Sequence, residues 1–281
     1  MIQVLESLNQ DQIVFIKRYL KENFHQQDEL NTYIEEVSNY YEAELAPYYV
    51  GLEQKSITGL LILDDVEEEM VYGRIFTKSF NFLDEIRKIF RNTDIDSLLL
   101  ETPEELPGHS NLHFDYAEYM MALSAEKRKQ TLSEQNEWIS NQEKRVSLVP
   151  VAKEDRDFYE SILEIQYDME EEEAKERFDS LIDEDAMHGF IIYADCKDRV
   201  GIGSCYEGES FITLFDLTIL PEYQGLGYGK GMILRLLSDS LGKNKKHLLQ
   251  VTSSNLPAFQ LYQKLGFEII EQQLFYDLEI S

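Results

Sequence analysis

The chain has 281 residues, 26 Lys and Arg against 54 Asp and Glu, and a formal net charge of −28 at pH 7. That balance speaks against nucleic acid or any other polyanionic partner, because neutralising phosphate needs clustered Lys and Arg; neutral or cationic partners fit, unless the acidity only serves solubility. Hydrophobic residues make up 43% and can fill real cores, yet no apolar run nears the roughly 20 residues of a membrane helix. The start, Met1-Ile2-Gln3-Val4, carries no basic or cleavable leader. The expectation is therefore a cytoplasmic protein with no membrane partner, a monomer or homodimer long enough for two domains.

Residues 1–43 read as helical, with Ile13, Phe15, Ile16 and Leu20, then Leu30, Tyr33, Ile34 and Val37, at helical spacing. After Pro47, residues 48–52 and 59–63 read as strands. A third strand over 71–78 leads into a helix through Phe82, Ile86 and Phe90. A strand over 97–102, a turn-rich stretch over 103–110 and a closing strand over 114–123 follow. Residues 124–145 are polar, with a lone Trp138 whose buried ring anchors a linker. The predicted domains are thus 1–123 and 146–281, joined by 124–145.

The second half opens with a strand over 146–151 and helices over 158–167 and 173–182. Around these helices sit Glu170 to Glu173, Glu176, Asp179, Asp183, Glu184 and Asp185, either a solvated face or a cation-attracting rim. Strands over 189–194 and 200–206 turn at 196–198. Cys196 and Cys205 on this predicted pair make no disulfide framework, and five scattered His give no metal spacing, so no metal is expected. The apolar run 211–220 is a strand ended by Pro221. Gly225, Gly227 and Gly229 then precede a helix marked by Met232, Ile233, Leu234, Leu236, Leu237 and Leu241. From 230 to 247 the charge bias reverses, with Lys230, Arg235, Lys243, Lys245 and Lys246 against Asp239. A strand over 247–253, a helix over 257–265 and a strand pair over 267–280, turning around Glu271-Gln272-Gln273, complete the chain.

A strand, a glycine-rich turn and a helix start gather backbone N–H groups at the positive end of a helix dipole, where phosphate binds. Glycine lets a ligand reach the backbone and supplies positive φ. Three alternating glycines alone are equally a tight turn, but two motifs decide between the readings. Gln224-Gly225-Leu226-Gly227-Tyr228-Gly229 resembles the Gln/Arg-x-x-Gly-x-Gly/Ala pyrophosphate loop of the GNAT acetyltransferase superfamily. Asn255-Leu256-Pro257-Ala258-Phe259-Gln260-Leu261-Tyr262-Gln263-Lys264-Leu265-Gly266-Phe267 resembles that family's Asn-x-x-Ala-x-x-x-Tyr-x-Lys-x-Gly-Phe segment.

The resemblance implies an α/β fold, a mixed central sheet flanked by helices, occurring twice in tandem. It implies acetyl-CoA as co-substrate and transfer of acetyl to a primary amine of a small molecule or peptide. The alternative is a catalytically silent acyl-CoA sensor or interaction protein. By the same resemblance, main-chain groups of Leu217, Thr218 and Ile219 hold the pantetheine arm, and amides of Gln224, Gly225, Leu226, Gly227, Tyr228 and Gly229 hold pyrophosphate. Lys230 adds local positive charge, Asn255 and Ala258 belong to the segment along the arm, and Tyr262 gives a proton to the thiolate. Asn255 is equally a helix N-cap.

The general base is open. Relatives carry Glu or His at positions matching Thr213 or Phe215, which here accept no proton. Asp216 interrupts an apolar run and would cost several kcal/mol if buried unpaired. Strand alternation points it away from the thioester, and a bulge would turn it back. Glu207 or a chain of water are the other candidates. In the first half only Gly73 survives at the loop position. That half is expected to be a degenerate copy that binds no CoA and shapes the acceptor channel.

Overall fold

Alternation along the strands splits the core of the first unit into two. The computed structural model describes residues 1–24, 46–54, 56–66, 70–142, 145–238 and 244–280. The helix predicted through Leu30 and Val37, and Asp239, Leu241 and Lys243, lie outside them. Residues 1–118 and 271–281 form one unit and residues 119–270 another.

In the first unit the strands lie in the order β1 (Ile2–Leu5), β2 (Tyr48–Glu53), β3 (Ser56–Val66), β4 (Met70–Thr77), β5 (Ser97–Thr102), β12 (Glu268–Glu279) and β6 (Leu112–Leu123). Tyr48, Val50, Leu60 and Ile62 pack with Ile13, Ile16 and Leu20 of α1 (Gln10–Asn23). Their neighbours Tyr49, Leu61 and Leu63 pack with Phe82, Ile86 and Phe90 of α2 (Phe80–Phe90). This is the two-residue period of a sheet covered on both faces. β4 and β5 are parallel from Met70↔Ser97 to Arg74↔Glu101.

Three expectations are corrected here. Residues 2–5 are a strand paired with β2, not helix. α1 starts only at Gln10, because Asn9 and Gln12 cap each other reciprocally at 2.9 Å. The strand pair expected over 267–280 is one continuous strand, β12, since Glu271-Gln272-Gln273 contains no residue suited to a tight turn. The domain boundaries also differ. Leu274 to Glu279 pair antiparallel with Thr102 to Ser97, so the end of the chain completes the first sheet.

In the second unit the order is β11 (Lys246–Thr252), β10 (Phe211–Ile219), β9 (Asp198–Glu207), β8 (Met187–Ala194) and β7 (Val146–Pro150). One core joins Tyr159, Ile162 and Phe178 of α5 (Arg156–Tyr167) and α6 (Glu171–Asp183) to Ile191 and Ile202. The other joins Ile233 and Leu237 of α7 (Tyr228–Ser238) and Tyr262 of α8 (Leu256–Lys264) to Val146, Ile192, Leu214 and Leu249.

The predicted linker is part of this unit. It forms α3 (Ala125–Glu134) and α4 (Asn136–Gln142). The polar residues that suggested a linker are spent on tying α3 down. Buried Arg128 donates from Nε to the Leu237 carbonyl at 2.6 Å, and Thr131 donates to the Leu265 carbonyl at 3.0 Å. Cys196 is exposed in the β8–β9 turn and Cys205 is buried in β9. No helix of the described residues is long and apolar enough to cross a membrane.

β10 and β9 pair Phe215↔Ser204 and then Thr218↔Ile202, so Asp216 and Leu217 oppose the single residue Gly203. This is a β-bulge, and Asp216 takes φ 50°, a left-handed conformation that Asp tolerates better than most residues. The bulge drives the Thr218 carbonyl against Gly201, where a Cβ would lie 2.0 Å from that oxygen. Gly201→Ala should therefore lower the unfolding free energy by about 2–3 kcal/mol in urea titration. Gly108→Ala, at a position with no atom within 4 Å of the new methyl, should change it by less than about 0.5 kcal/mol.

Candidate active site

The parallel pairing of β10 with β11 stops at Leu214↔Leu249, although the strands continue to Ile219 and Thr252. Beyond that last pair lies a cavity of about 560 Å³, inside the roughly 300–1,000 Å³ usual for small-molecule sites. β10 lines it with Thr213 to Leu217, β11 with Gln250 to Thr252, and the α5–α6 side with Gln166, Tyr167, Met169 and Arg177. Asn255 and Tyr262 complete the wall of interest here. Tyr262 is 6% exposed, its ring centroid 5.9 Å from that of Phe267. Its hydroxyl makes no hydrogen bond to a described residue, and burial, then the nearby Tyr167, holds its pKa far above the usual tyrosine value. Asn255 accepts from the Ala258 amide at 3.3 Å and so caps α8, while also lining the cavity.

The turn after β10 is shaped by its own bonds. Gln224 donates from Nε2 to the Ile219 carbonyl at 2.9 Å. Gly225 and Gly227 have φ +73° and +90°, where an L side chain is strained. A Cβ on Gly225 would meet nothing within 4 Å, and one on Gly227 only Trp138, at 3.9 Å. The turn therefore presents bare backbone at the start of α7, whose first-turn amides have no intrahelical acceptor, an arrangement that fits a phosphate group. Lys230 lies 4.6 Å above the Trp138 ring, and partial burial lowers its pKa. Trp138 thus supports a lysine of the turn, where sequence reasoning had it pinning a linker.

Of the predicted residues, the structure brings Asp216, Leu217, Asn255 and Tyr262 into one cavity; Thr218, Ile219, Ala258 and residues 224–230 lie outside its lining. Glu207 is also outside it. An ion pair with Lys245 at 2.7 Å occupies that carboxylate and lowers its pKa.

Residues 149–267 match the Acetyltransferase (GNAT) family. That stretch is 119 of the 281 residues, and it is what the chain shares with the GNAT acetyltransferase family. The [ribosomal protein bS18]-alanine N-acetyltransferase of Haemophilus influenzae is 37% identical over 73 residues, 26% of this chain. The match spans 49% of that relative's own length. Two solved structures share the fold across 100% of the chain. A GCN5-related N-acetyltransferase from Sphaerobacter thermophilus has TM-score 0.62 at 8% identity over 96% of its length. A tandem GNAT protein from the clavulanic acid biosynthesis pathway has TM-score 0.54 at 13% identity over 99% of its length. The mixed α/β fold therefore occurs twice in tandem.

Within the matched stretch, the bulge turns Asp216 into the cavity lining, against simple alternation. Asp216 is 6% exposed. Its Oδ2 accepts from the Tyr159 hydroxyl at 3.1 Å, and that hydroxyl also meets Ser204 Oγ at 2.5 Å. Arg177 Nη1 stands 3.7 Å from Oδ1. Burial raises the carboxyl's pKa, opposed by Arg177 and by the Tyr159 hydrogen bond. Thr218 donates to the Tyr167 hydroxyl at 2.9 Å, and desolvation of that end pushes Tyr167 up to about 12, although 42% of the whole residue is exposed.

Sequence reasoning missed Tyr159, Ser204, Tyr167 and Arg177. Tyr159 shares a helix face with Ile162 and Leu163 and read as ordinary core, while Arg177 was submerged in an acidic run. The available signal was a polar hydroxyl on an apolar helix face together with an acid inside an apolar strand.

A raised carboxyl pKa means that the folded state holds the proton more tightly than the unfolded state. Asp216 therefore costs stability as pH rises through and above its folded pKa. Asp216→Asn tolerates the same φ and can still accept from Tyr159. The variant should be more stable than wild type at pH 7, with the advantage shrinking as pH falls toward about 4. Thermal melts across this range check the sign.

Proposed function

We propose that the chain transfers the acetyl group of acetyl-CoA to a primary amine of a small molecule or peptide. The observation that carries this reading is the cavity opened where β10 leaves β11, with Asp216, Asn255 and Tyr262 in its lining and the glycine turn at the same strand's end. The main chain of Leu217, Thr218 and Ile219 holds the pantetheine arm, with Asn255 and Ala258 alongside it. The amides of Gln224, Gly225, Leu226, Gly227, Tyr228 and Gly229, helped by Lys230, take the pyrophosphate. Acetyl-CoA supplies an activated acyl carbon and a thiol leaving group.

Asp216 accepts a proton from the acceptor's ammonium, a task helped by its raised pKa. The freed amine attacks the acyl carbon, backbone donors of β10 steady the oxyanion, and as the C–S bond breaks the Tyr262 hydroxyl gives its proton to the departing sulfur. The nitrogen's remaining extra proton passes through solvent to restore the tyrosine, leaving amide and free CoA thiol. The name of the Haemophilus influenzae relative specifies an alanine of a ribosomal protein, which supports an amine acceptor but does not choose between free amine and peptide.

The first unit binds no acetyl-CoA in this proposal. Only Lys78 and Ser79 join β4 to α2, too few for a phosphate-binding turn. Arg74 and Glu101, the last parallel pair, are themselves 3.2 Å apart in an ion pair. The second reading, a silent acyl-CoA-binding protein, is favoured only by the lack of a proton acceptor at Thr213 and Phe215.

Tyr262→Phe keeps the ring and removes the proton. It should lower kcat by about 10²- to 10⁴-fold and leave the affinity for acetyl-CoA within about twofold. Steady-state rates with calorimetry check the split. A kcat within about twofold of wild type would mean that this tyrosine only packs.

A further inference from the structure

Within the reading just given, we infer that Arg177 forms an anion subsite of the cavity, so that the acceptor is a free amino acid or close analogue whose carboxylate Arg177 receives. Three observations lead there. Among the described residues, Arg177 is the sole cationic side chain in the lining of the 560 Å³ cavity. It is held without being satisfied: its guanidinium carbon stands 5.3 Å from the Phe215 ring centroid, and its nearest acidic oxygen, on Asp216, is 3.7 Å away, beyond hydrogen-bond reach. It donates no hydrogen bond to any described residue. A planar fork of five N–H donors, steadied by an aromatic face and left unspent inside a cavity, is suited to a bidentate carboxylate.

The charge of the surroundings narrows the ligand. One guanidinium faces Asp216 in the same cavity, and Glu170 to Glu173 follow Met169 of its wall. A second full negative charge, as on a phosphate ester, would exceed what that single cation offsets, whereas a carboxylate matches it. Asp216 and Arg177 also stand side by side as an anion and a cation. An amino acid carries the complementary pair, an ammonium for Asp216 and a carboxylate for Arg177, a few ångströms apart. Met120 and Met169, flexible and apolar, complete a wall that adapts to different side chains. A protein N-terminus has an amide where the carboxylate would be and leaves Arg177 unpaired.

The test compares free amino acids with their carboxamides at saturating acetyl-CoA, in wild type, Arg177→Gln and Arg177→Lys. Wild type should prefer the acids in kcat/KM by about 10- to 100-fold, the usual worth of charged hydrogen bonds. Arg177→Gln should bring that ratio close to one, and Arg177→Lys should keep part of it. The ratio is read, and not the absolute rate, because losing Arg177 also changes the field at Asp216. A wild-type ratio near one, or an unchanged ratio in Arg177→Gln, overturns the inference. Calorimetry of the same acids and amides with CoA present separates this from the enzymatic reading. Arg177-dependent binding of acids without turnover upholds the subsite and removes the catalysis. No preference for acids in either readout overturns the subsite.

Discussion

One extra residue in β10 is the constraint on which the site depends. Two residues of β10, Asp216 and Leu217, stand opposite Gly203 alone, and Asp216 takes the left-handed conformation that this requires. The same displacement brings the Thr218 carbonyl so close to β9 that only glycine fits at position 201. Pairing with the parallel neighbour ends one residue before Phe215. A strand bulged on one edge and released on the other opens a cavity in the middle of a sheet, a place that regular ladders would fill. Burying Asp216 there is costly, and Tyr159, Ser204 and Arg177 are arranged to offset part of that cost.

The first unit differs in where its ladder is interrupted: the register shift between β3 and β4 lies at Leu63/Asp65, so the extra residue is in β3 and not in the strand with the parallel partner. Its parallel pair, β4 and β5, also stops short of the strand ends, at Arg74↔Glu101. There Glu101, buried, accepts from the Tyr72 hydroxyl and pairs with Arg74. The corresponding last pair of the second unit is Leu214↔Leu249, apolar and unable to bridge an opening by charge. Two similar sheets thus differ in the chemistry of one cross-strand pair and in the length of one turn. Both differences support the proposal that acetyl-CoA has its site in the second unit.

Much of this was legible in the residues. Alternation and helical spacing gave most strands and helices within a few positions, and glycines at Gly225 and Gly227 signalled the positive φ that they adopt. The bulge was foreseen only as a possibility, because two-residue alternation carries no information about an inserted residue. Residues 124–145 read as a linker because their polar side chains, Arg128 and Thr131 among them, bond to distant carbonyls that no local window reveals. The pairing of β12 with β5 is equally non-local, 172 or more residues apart along the chain. Arg177 was lost among acids for a related reason: helix periodicity ranks residues by hydropathy, and a cation facing a cavity looks like one facing solvent.

Hydrogen exchange with and without acetyl-CoA tests the central claim most directly, because it reads the backbone that is said to do the binding. Acetyl-CoA should slow exchange at the amides of Leu217 to Ile219 and Gln224 to Lys230 and leave residues 74–80 of the first unit unchanged. Protection absent from the turn and the bulged strand, or equal in both units, would contradict a single site built on this bulge.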